Sequence, residues 1–120
     1  MVALNFSPEH APKVESGEKC QTIRMTARGK VGDPCHLYTG QRTKACRRLR
    51  KDTPPLLEVT PVKIHPLGIE VGGKKLGLRE REDFAKADGF PDCRSMVLWF
   101  QQKYRKPWVS GFLHRWAPKP

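Results

Sequence analysis

The sequence predicts an α+β fold, a small β-barrel of five or six mostly antiparallel strands with two or three short helices. Eleven prolines and ten glycines in 120 residues are typical of many turns between short strands. Alternating apolar runs recur along the chain, and one stretch near the C-terminal end has helical spacing. Successive hairpins leave open edges, and closing the sheet removes them. The length fits a single domain over residues 1–120.

The first elements are a strand and a helix. Residues 2–6 read as a short strand. Ser7 is a good helix N-cap and Pro8 a good first helical residue, so we expect a helix from there to about residue 16, ended by Gly17. Pro12 lies inside this stretch and predicts an irregular helix or a second start.

The middle of the chain is predicted to be mainly strands. Strands are expected over about 21–25 and 35–39, and the sequence of residues 42–50 is compatible with a further extended segment. The strongest strand pattern covers 56–64. Pro61 within it predicts an edge position or a bulge.

The last third is predicted to be a hairpin, two helices and a strand. A Gly-Gly turn predicts the hairpin over 68–76, and a short charged helix follows over 79–87. Asp92 is the expected N-cap of a second helix over 93–104, whose apolar residues recur at helical spacing. Residues 109–116 form the last predicted strand.

The charge balance points to a polyanionic partner. Lys and Arg number 23 against 12 Asp and Glu, a net charge of +11. Such a surface attracts phosphates and gains from counterion release, so a nucleic acid is the expected partner. No basic amphipathic helix stands out, and no membrane partner is expected.

Other sequence features indicate the cellular location of the protein and whether it binds a metal or another cofactor. No apolar run approaches the ~18 residues of a membrane span, and the first residues lack the charged, apolar pattern of a signal peptide. A cytoplasmic location is therefore expected. The four cysteines show no C-x-x-C pair and no histidine at ligand spacing, so neither a metal nor another cofactor is expected.

Residues 17–24, Gly-Glu-Lys-Cys-Gln-Thr-Ile-Arg, concentrate groups able to bind a polar ligand. Lys19 offers an ammonium, Gln21 an amide, Thr22 a hydroxyl and Arg24 a guanidinium. The same residues also fit an ordinary basic edge strand whose side chains are solvated. The downstream pattern described next favours the functional interpretation.

The Gly-x-Lys-x-x-Thr-Ile-Arg pattern resembles the ASCH domain family, a small relative of the PUA RNA-binding barrel, and in particular its short phage and bacterial type. Further segments match the family in the same order, so that the resemblance covers about residues 3–116; they are residues 32–33, 36–44, 87–90, 99–100 and 111–116. The resemblance implies a PUA-like barrel with a cleft between barrel and helices. It also implies binding of RNA or modified nucleosides. The fold alone does not determine which activity a member of the family has.

Some members of the family are amidohydrolases that remove the acetyl group from N4-acetylcytidine, and the resemblance carries their site to Lys19 as base, Thr22 as nucleophile and Asp88 as acid. Asp88 stands where those members have glutamate. In a regular strand, residues three apart point to opposite faces, so Lys19 must lie before the strand or beside a bulge. Other members are described as ribonucleases, and His36 or His114 are candidates to titrate in such a site.

Binding of RNA or a modified nucleoside in a basic cleft is the leading interpretation, with the amidohydrolase as the first alternative and a metal-independent ribonuclease as the second. Cations neutralise phosphates, and an exposed aromatic ring stacks on a base. The expected nucleic-acid-binding residues are Lys19, Arg24, Arg28, Lys30, Tyr38, Arg42, Lys44, Arg47, Arg48, Lys106 and Trp108.

Overall fold

The computed structural model describes residues 2–120 and has eight strands and three helices within them, which confirms the α+β class. In chain order the elements are β1 (Val2–Phe6), α1 (Ala11–Ser16), β2 (Gln21–Arg24), β3 (Cys35–Thr39), β4 (Arg47–Arg48), β5 (Leu56–His65), β6 (Gly68–Val71), β7 (Lys74–Lys75), α2 (Leu78–Ala87), α3 (Cys93–Tyr104) and β8 (Val109–Trp116). The excess over the predicted five or six strands comes from β4 and β7, which have two residues each. None of these helices is long and apolar enough to cross a membrane.

The strands form two sheets. In the first, ordered β1-β3-β4, β1 runs parallel to β3, and β3 is antiparallel to β4. The second, ordered β2-β8-β5-β6-β7, is antiparallel throughout and is built around the long strands β5 and β8. The sheets meet where the Leu56 N–H donates to the Asp33 carbonyl at 2.8 Å. The pairing is therefore mostly antiparallel, as predicted.

The two sheets stay open and do not close into a clear barrel, which corrects the expectation of closure. That expectation came from the need to hide strand edges. The edge strands β4 and β7 consist of Arg47-Arg48 and Lys74-Lys75, all four exposed. Short edges that carry positive charge resist pairing with another chain. Length and charge thus protect these edges without closure.

Two apolar clusters form the core. One joins β1, β3 and α1 and centres on the fully buried Val14, Leu37 and Trp116. The other fills the space between the second sheet and the helices α2 and α3, with Met96 at its centre. Strand β8 supplies Leu113 to the second cluster and Trp116 to the first. This strand therefore links the two halves of the core.

Helix α1 begins at Ala11, three residues later than the predicted first helical residue Pro8. The Ser7 carbonyl accepts the N–H groups of His10 and Ala11 at 3.0 and 3.1 Å, so a turn precedes the helix. Pro12 then occupies the first turn, where its missing N–H has no helical partner to lose. The second start at Pro12 that the sequence allowed is the actual one. Gly17 ends the helix as predicted, with φ 87°.

Strand β5 lies between β8 and β6, so the edge position suggested by Pro61 is wrong. Pairing with β6 ends at Val62, and the Pro61 carbonyl accepts the Gly72 N–H at 2.8 Å. Because the backbone N and O of one strand residue point to the same side, the nitrogen of Pro61 faces this turn and not β8. Proline is tolerated because the ladder has ended on that side.

The remaining predicted elements are present within a residue or two of their expected bounds. The exception is 42–50, where the extended stretch shrinks to β4. Residues 40–46 form a turn in which the Thr43 hydroxyl donates to the Gly40 carbonyl at 2.6 Å. The Asp92 side chain caps α3 as predicted, accepting the Ser95 N–H at 2.7 Å.

Candidate functional site

A narrow recess opens where α1 leads into β2, facing the end of β1 and helix α3. Its volume is about 80 Å³. Four residues predicted from the sequence line it together, namely Lys19, Thr22, Arg24 and Asp88. A larger apolar groove of about 630 Å³ lies between α2 and α3, but none of the predicted site residues lines it. The chemistry therefore points to the smaller recess.

The backbone between α1 and β2 brings Lys19 and Thr22 to the same recess. Gly17 ends the helix, the Lys19 N–H returns to the Lys13 carbonyl at 2.9 Å, and β2 begins only at Gln21. Lys19 thus precedes the strand, which is the arrangement that the spacing of three residues required. Thr22 lies within the strand and is buried.

Lys19 and Asp88 form a buried ion pair. Their exposed fractions are 3% and 2%, and Lys19 Nζ lies 3.4 Å from Asp88 Oδ2. The ammonium also donates to the Asp88 backbone carbonyl. Gln21 Nε2 donates to Asp88 Oδ1 at 3.3 Å, so both carboxylate oxygens have partners. Charges this deeply buried require such pairing.

Burial shifts the pKa of both partners toward the neutral forms. It lowers the pKa of Lys19 below its usual value, although the Asp88 carboxylate opposes this shift. It raises the pKa of Asp88, against the influence of the Lys19 ammonium. A larger fraction of Lys19 is thus present as the free amine near neutral pH than for a solvated lysine.

The loop between α2 and α3 fixes Asp88 by several backbone contacts. The Asp88 N–H donates to the Phe84 carbonyl at 3.1 Å, and Lys13 Nζ donates to the Gly89 carbonyl at 2.8 Å. Gly89 has φ 96°, a left-handed conformation that favours glycine. A Cβ at this position would lie 3.3 Å from Lys19 Cδ, so glycine also leaves room for the lysine stem.

Arg24 brings a guanidinium to the recess, and one of its buried donors has no partner in the described part of the chain. Its Nη2 donates to the Asn5 carbonyl at 2.7 Å, and the guanidinium carbon lies 5.0 Å from the Phe6 ring centroid. Arg24 Nε is buried and has no hydrogen-bond partner among residues 2–120. An unsatisfied buried N–H is costly.

Aromatic side chains form the wall opposite β2. His10 packs edge-on against Phe90 and Trp99, with ring centroids 5.7 and 5.5 Å apart. Burial lowers the pKa of His10, and the Lys19 charge adds to that effect. A neutral imidazole and apolar rings suit a flat, uncharged ligand group better than a phosphate.

No family model, curated protein or solved structure matches the chain. The resemblance to the ASCH family therefore stays a prediction.

The other predicted nucleic-acid-binding residues do not line the recess. Arg28 and Lys30 are exposed in the loop before β3, and Tyr38 is half-buried on β3 with its ring stacked on His36. Lys106 and Trp108 are exposed beyond α3, and Trp108 stacks on His65 with centroids 5.0 Å apart.

The remaining four predicted cations, Arg42, Lys44, Arg47 and Arg48, belong to β4 and the turn before it and are exposed. Arg47 lines a second groove beside the recess and forms an ion pair with Glu15. The predicted cations are thus spread over several surfaces, and only part of them lies near the recess.

Sequence reasoning did not assign His10, Phe90 and Lys103 to the site, although all three line the recess. They come from the turn before α1, the loop after α2 and the last turn of α3. Tertiary contacts such as the packing of His10 against Phe90 and Trp99 bring these segments together. Among residues 2–120, no three His, Cys, Asp or Glu side chains converge as metal ligands.

His114 is held by the backbone on both sides of its ring. Its Nε2 accepts the Arg28 N–H at 2.8 Å, and its Nδ1 lies 3.0 Å from the Phe112 carbonyl. Those contacts require a proton on Nδ1 and none on Nε2. His114 is also fully buried, so its ring serves to fasten the loop after β2.

Proposed function

We propose that the recess binds the acylated amino group of a modified cytidine and hydrolyses its amide bond, as N4-acetylcytidine amidohydrolases of the ASCH family do. The proposal includes a PUA-like relationship for the fold. The observation that carries it is the buried Lys19–Asp88 pair in one recess with Thr22. A buried lysine with a lowered pKa beside a hydroxyl is a base–nucleophile pair.

The first half of the proposed reaction forms an ester on Thr22. Neutral Lys19 takes the proton of the Thr22 hydroxyl while that oxygen attacks the acetyl carbonyl carbon. The C–N bond of the tetrahedral intermediate then breaks, and the Lys19 ammonium returns the proton to the departing amino group of cytidine. Asp88 holds Lys19 in position through the carboxylate and the backbone carbonyl.

The second half releases acetate. Water attacks the acetyl-Thr22 ester with Lys19 again accepting a proton, the ester C–O bond breaks, and the Thr22 oxygen regains its proton. In both halves of the reaction, negative charge develops on the carbonyl oxygen. Arg24 lines the recess, and we assign its guanidinium to the stabilisation of that charge.

The test is hydrolysis of N4-acetylcytidine by the pure chain, followed by mass spectrometry of cytidine and acetate. Thr22→Val removes the hydroxyl with little change in volume and is expected to lower the rate by at least about 10²-fold, whereas Thr22→Ser keeps part of it. Thr60→Val is the matched control, because the Thr60 hydroxyl donates to Glu58 on β5 outside the recess. Equal rates for Thr22→Val and Thr60→Val would reject the catalytic role.

A second candidate is binding of the modified nucleoside without hydrolysis. It is favoured by the two oxygens of Asp88 that contact Lys19 Nζ, because both contacts stabilise the ammonium over the amine. In that case calorimetry shows N4-acetylcytidine binding, Lys19→Met weakens it, and no product forms. If N4-acetylcytidine neither binds nor yields product, both proposed functions are excluded.

A further inference from the structure

The recess is smaller than a nucleoside site. Small-molecule pockets have volumes of about 300–1,000 Å³, whereas the recess has about 80 Å³. Only the reacting acyl group and the base edge beside it fit there. The ribose and anything attached to it must lie outside, at the mouth of the recess.

A second groove of about 380 Å³ opens beside that mouth, and we call it the side groove. Three consecutive residues at the end of β1, Asn5, Phe6 and Ser7, line both the recess and the side groove. Pro8 and Pro12 form an apolar wall of the side groove, and Gln41 and Thr43 a polar one. Together the two spaces reach the volume of an ordinary ligand site.

The polar wall of the side groove is held by hydrogen bonds. Asn5 Oδ1 accepts the Gln41 N–H at 2.9 Å, and the Thr43 hydroxyl joins the Gly40 carbonyl and the Ala45 N–H. Asn5 also accepts the Arg24 guanidinium on its carbonyl. One residue therefore connects the wall of the side groove to the cation of the recess, and the groove is formed before any ligand binds.

Cations lie beside the side groove. Arg47 lines it and pairs with Glu15, whereas Arg42 and Lys44 are exposed on the turn whose neighbouring residues Gln41, Thr43 and Ala45 line it. Neither Arg42 nor Lys44 forms an ion pair with another residue of the described chain 2–120. Exposed cations next to a groove with an apolar wall suit a phosphate that follows a ribose and base.

We infer that the side groove binds the nucleotide next to the modified one, so the substrate is a single-stranded polynucleotide and not a free nucleoside. This inference rests on the proposed function of the recess. The acyl group and the adjacent base edge of the modified nucleotide enter the recess at its mouth. The neighbouring ribose and base lie against the Pro8–Pro12 wall, and the phosphate beyond them meets Arg42 and Lys44.

The experiment compares N4-acetylcytidine with a five-nucleotide RNA that carries one N4-acetylcytidine. The variant Arg42→Glu/Lys44→Glu is matched with Lys74→Glu/Lys75→Glu, which makes the same charge change on the exposed strand β7. For the wild-type chain, kcat/KM is expected to be at least about tenfold higher on the RNA than on the nucleoside. The Arg42/Lys44 variant is expected to lose about tenfold or more of that preference, and the Lys74/Lys75 variant less than about threefold.

Two outcomes would overturn the inference: a nucleoside hydrolysed as efficiently as the RNA, or an equal loss of preference in both double variants. If the wild-type chain hydrolyses neither substrate, the proposed hydrolysis fails, and binding still tests the side groove. Fluorescence anisotropy of an unmodified five-nucleotide RNA must then show about tenfold weaker binding for Arg42→Glu/Lys44→Glu than for Lys74→Glu/Lys75→Glu. Equal affinities of those two variants would reject the groove.

Discussion

Replacing Asp88 by asparagine removes the counter-charge of Lys19 while keeping the size of the side chain and its oxygen. In the native protein Lys19 Nζ contacts Asp88 Oδ2 at 3.4 Å, and both side chains are almost fully buried. The substitution leaves an ammonium in a site from which water is excluded. Breaking one side of such a buried pair typically costs 3–5 kcal/mol.

The loss of unfolding free energy is expected at the low end of this range, about 3 kcal/mol. The Asp88 backbone carbonyl still accepts the ammonium, and an asparagine oxygen still accepts Gln21 Nε2. A single domain is stable by about 5–15 kcal/mol, so a loss of this size is a large part of the total. It is easily resolved from the midpoint and slope of a urea titration.

The loss is expected to shrink as the pH rises from 7 to 10. Without Asp88, the pKa of Lys19 in the folded protein falls further below that of the unfolded chain. The unfolded chain then binds more protons than the folded one, so stability increases with pH. The wild-type curve is flatter, because Asp88 opposes the lowering of the Lys19 pKa.

The double variant Lys19→Met/Asp88→Asn completes the test. It removes the buried charge as well as its partner, so it is expected to be more stable than Asp88→Asn alone. A loss below about 1 kcal/mol for Asp88→Asn, with no change between pH 7 and 10, would mean that water reaches the pair. The burial on which the candidate site depends would then be refuted.

Three further predictions concern the scaffold around the site. Burial lowers the pKa of His114, so unfolding free energy should fall as the pH drops below about 6.5, and His114→Gln should reduce that slope in urea titrations at pH 7.5 and 5.5. Gly111→Ala should destabilise the fold by roughly 1–3 kcal/mol in urea, because its Cβ would lie 2.6 Å from the Arg24 carbonyl; no loss would contradict that close approach. Met96→Ala should lower unfolding free energy by about 2–5 kcal/mol, since Met96 is fully buried between α3 and the second sheet, while the exposed Leu98→Ala serves as the control.

Local signals in the sequence identified most elements, and they did so where one residue type decides the backbone. Gly17 ends α1, Asp92 caps α3, and Gly72-Gly73 forms the β6–β7 turn. The start of α1 was mistaken because Ser7-Pro8 and Ala11-Pro12 both offer a proline in a first turn. The choice between these two helix starts depends on the tertiary position of the Ser7–His10 turn, which borders the recess.

Local signals in the sequence do not show whether a sheet closes into a barrel, because closure depends on pairings between strands that are distant in sequence. Strand β1 pairs parallel with β3, and β2 pairs with β8, more than eighty residues later. Two cationic pairs, Arg47-Arg48 and Lys74-Lys75, were read as a phosphate-binding patch or as part of a hairpin. In the fold they also protect sheet edges, a role that composition does not distinguish from ligand binding.

Three of the four residues that line the recess and were predicted from the sequence are close together in the chain. Lys19, Thr22 and Arg24 lie within six residues, so the exit from one short helix into one strand is enough to group them, and only Asp88 had to come from elsewhere. Residues His10, Phe90 and Lys103 have no such local link, and their side chains fit core or surface equally well as sequence.

The Lys19–Asp88 pair also explains why a domain with so large a positive charge buries one of its few acids. Twelve acidic residues oppose 23 Lys and Arg, yet Asp88 is withdrawn from solvent to face Lys19. If stability alone mattered, two apolar residues of similar volume would serve as well or better. The pair is held by Gln21, by the Gly89 turn and by Lys13, all directed at the same loop. The proposed function supplies a reason for this support, because a lysine that acts as a base has to keep its place in the recess with Thr22 and still be able to lose a proton.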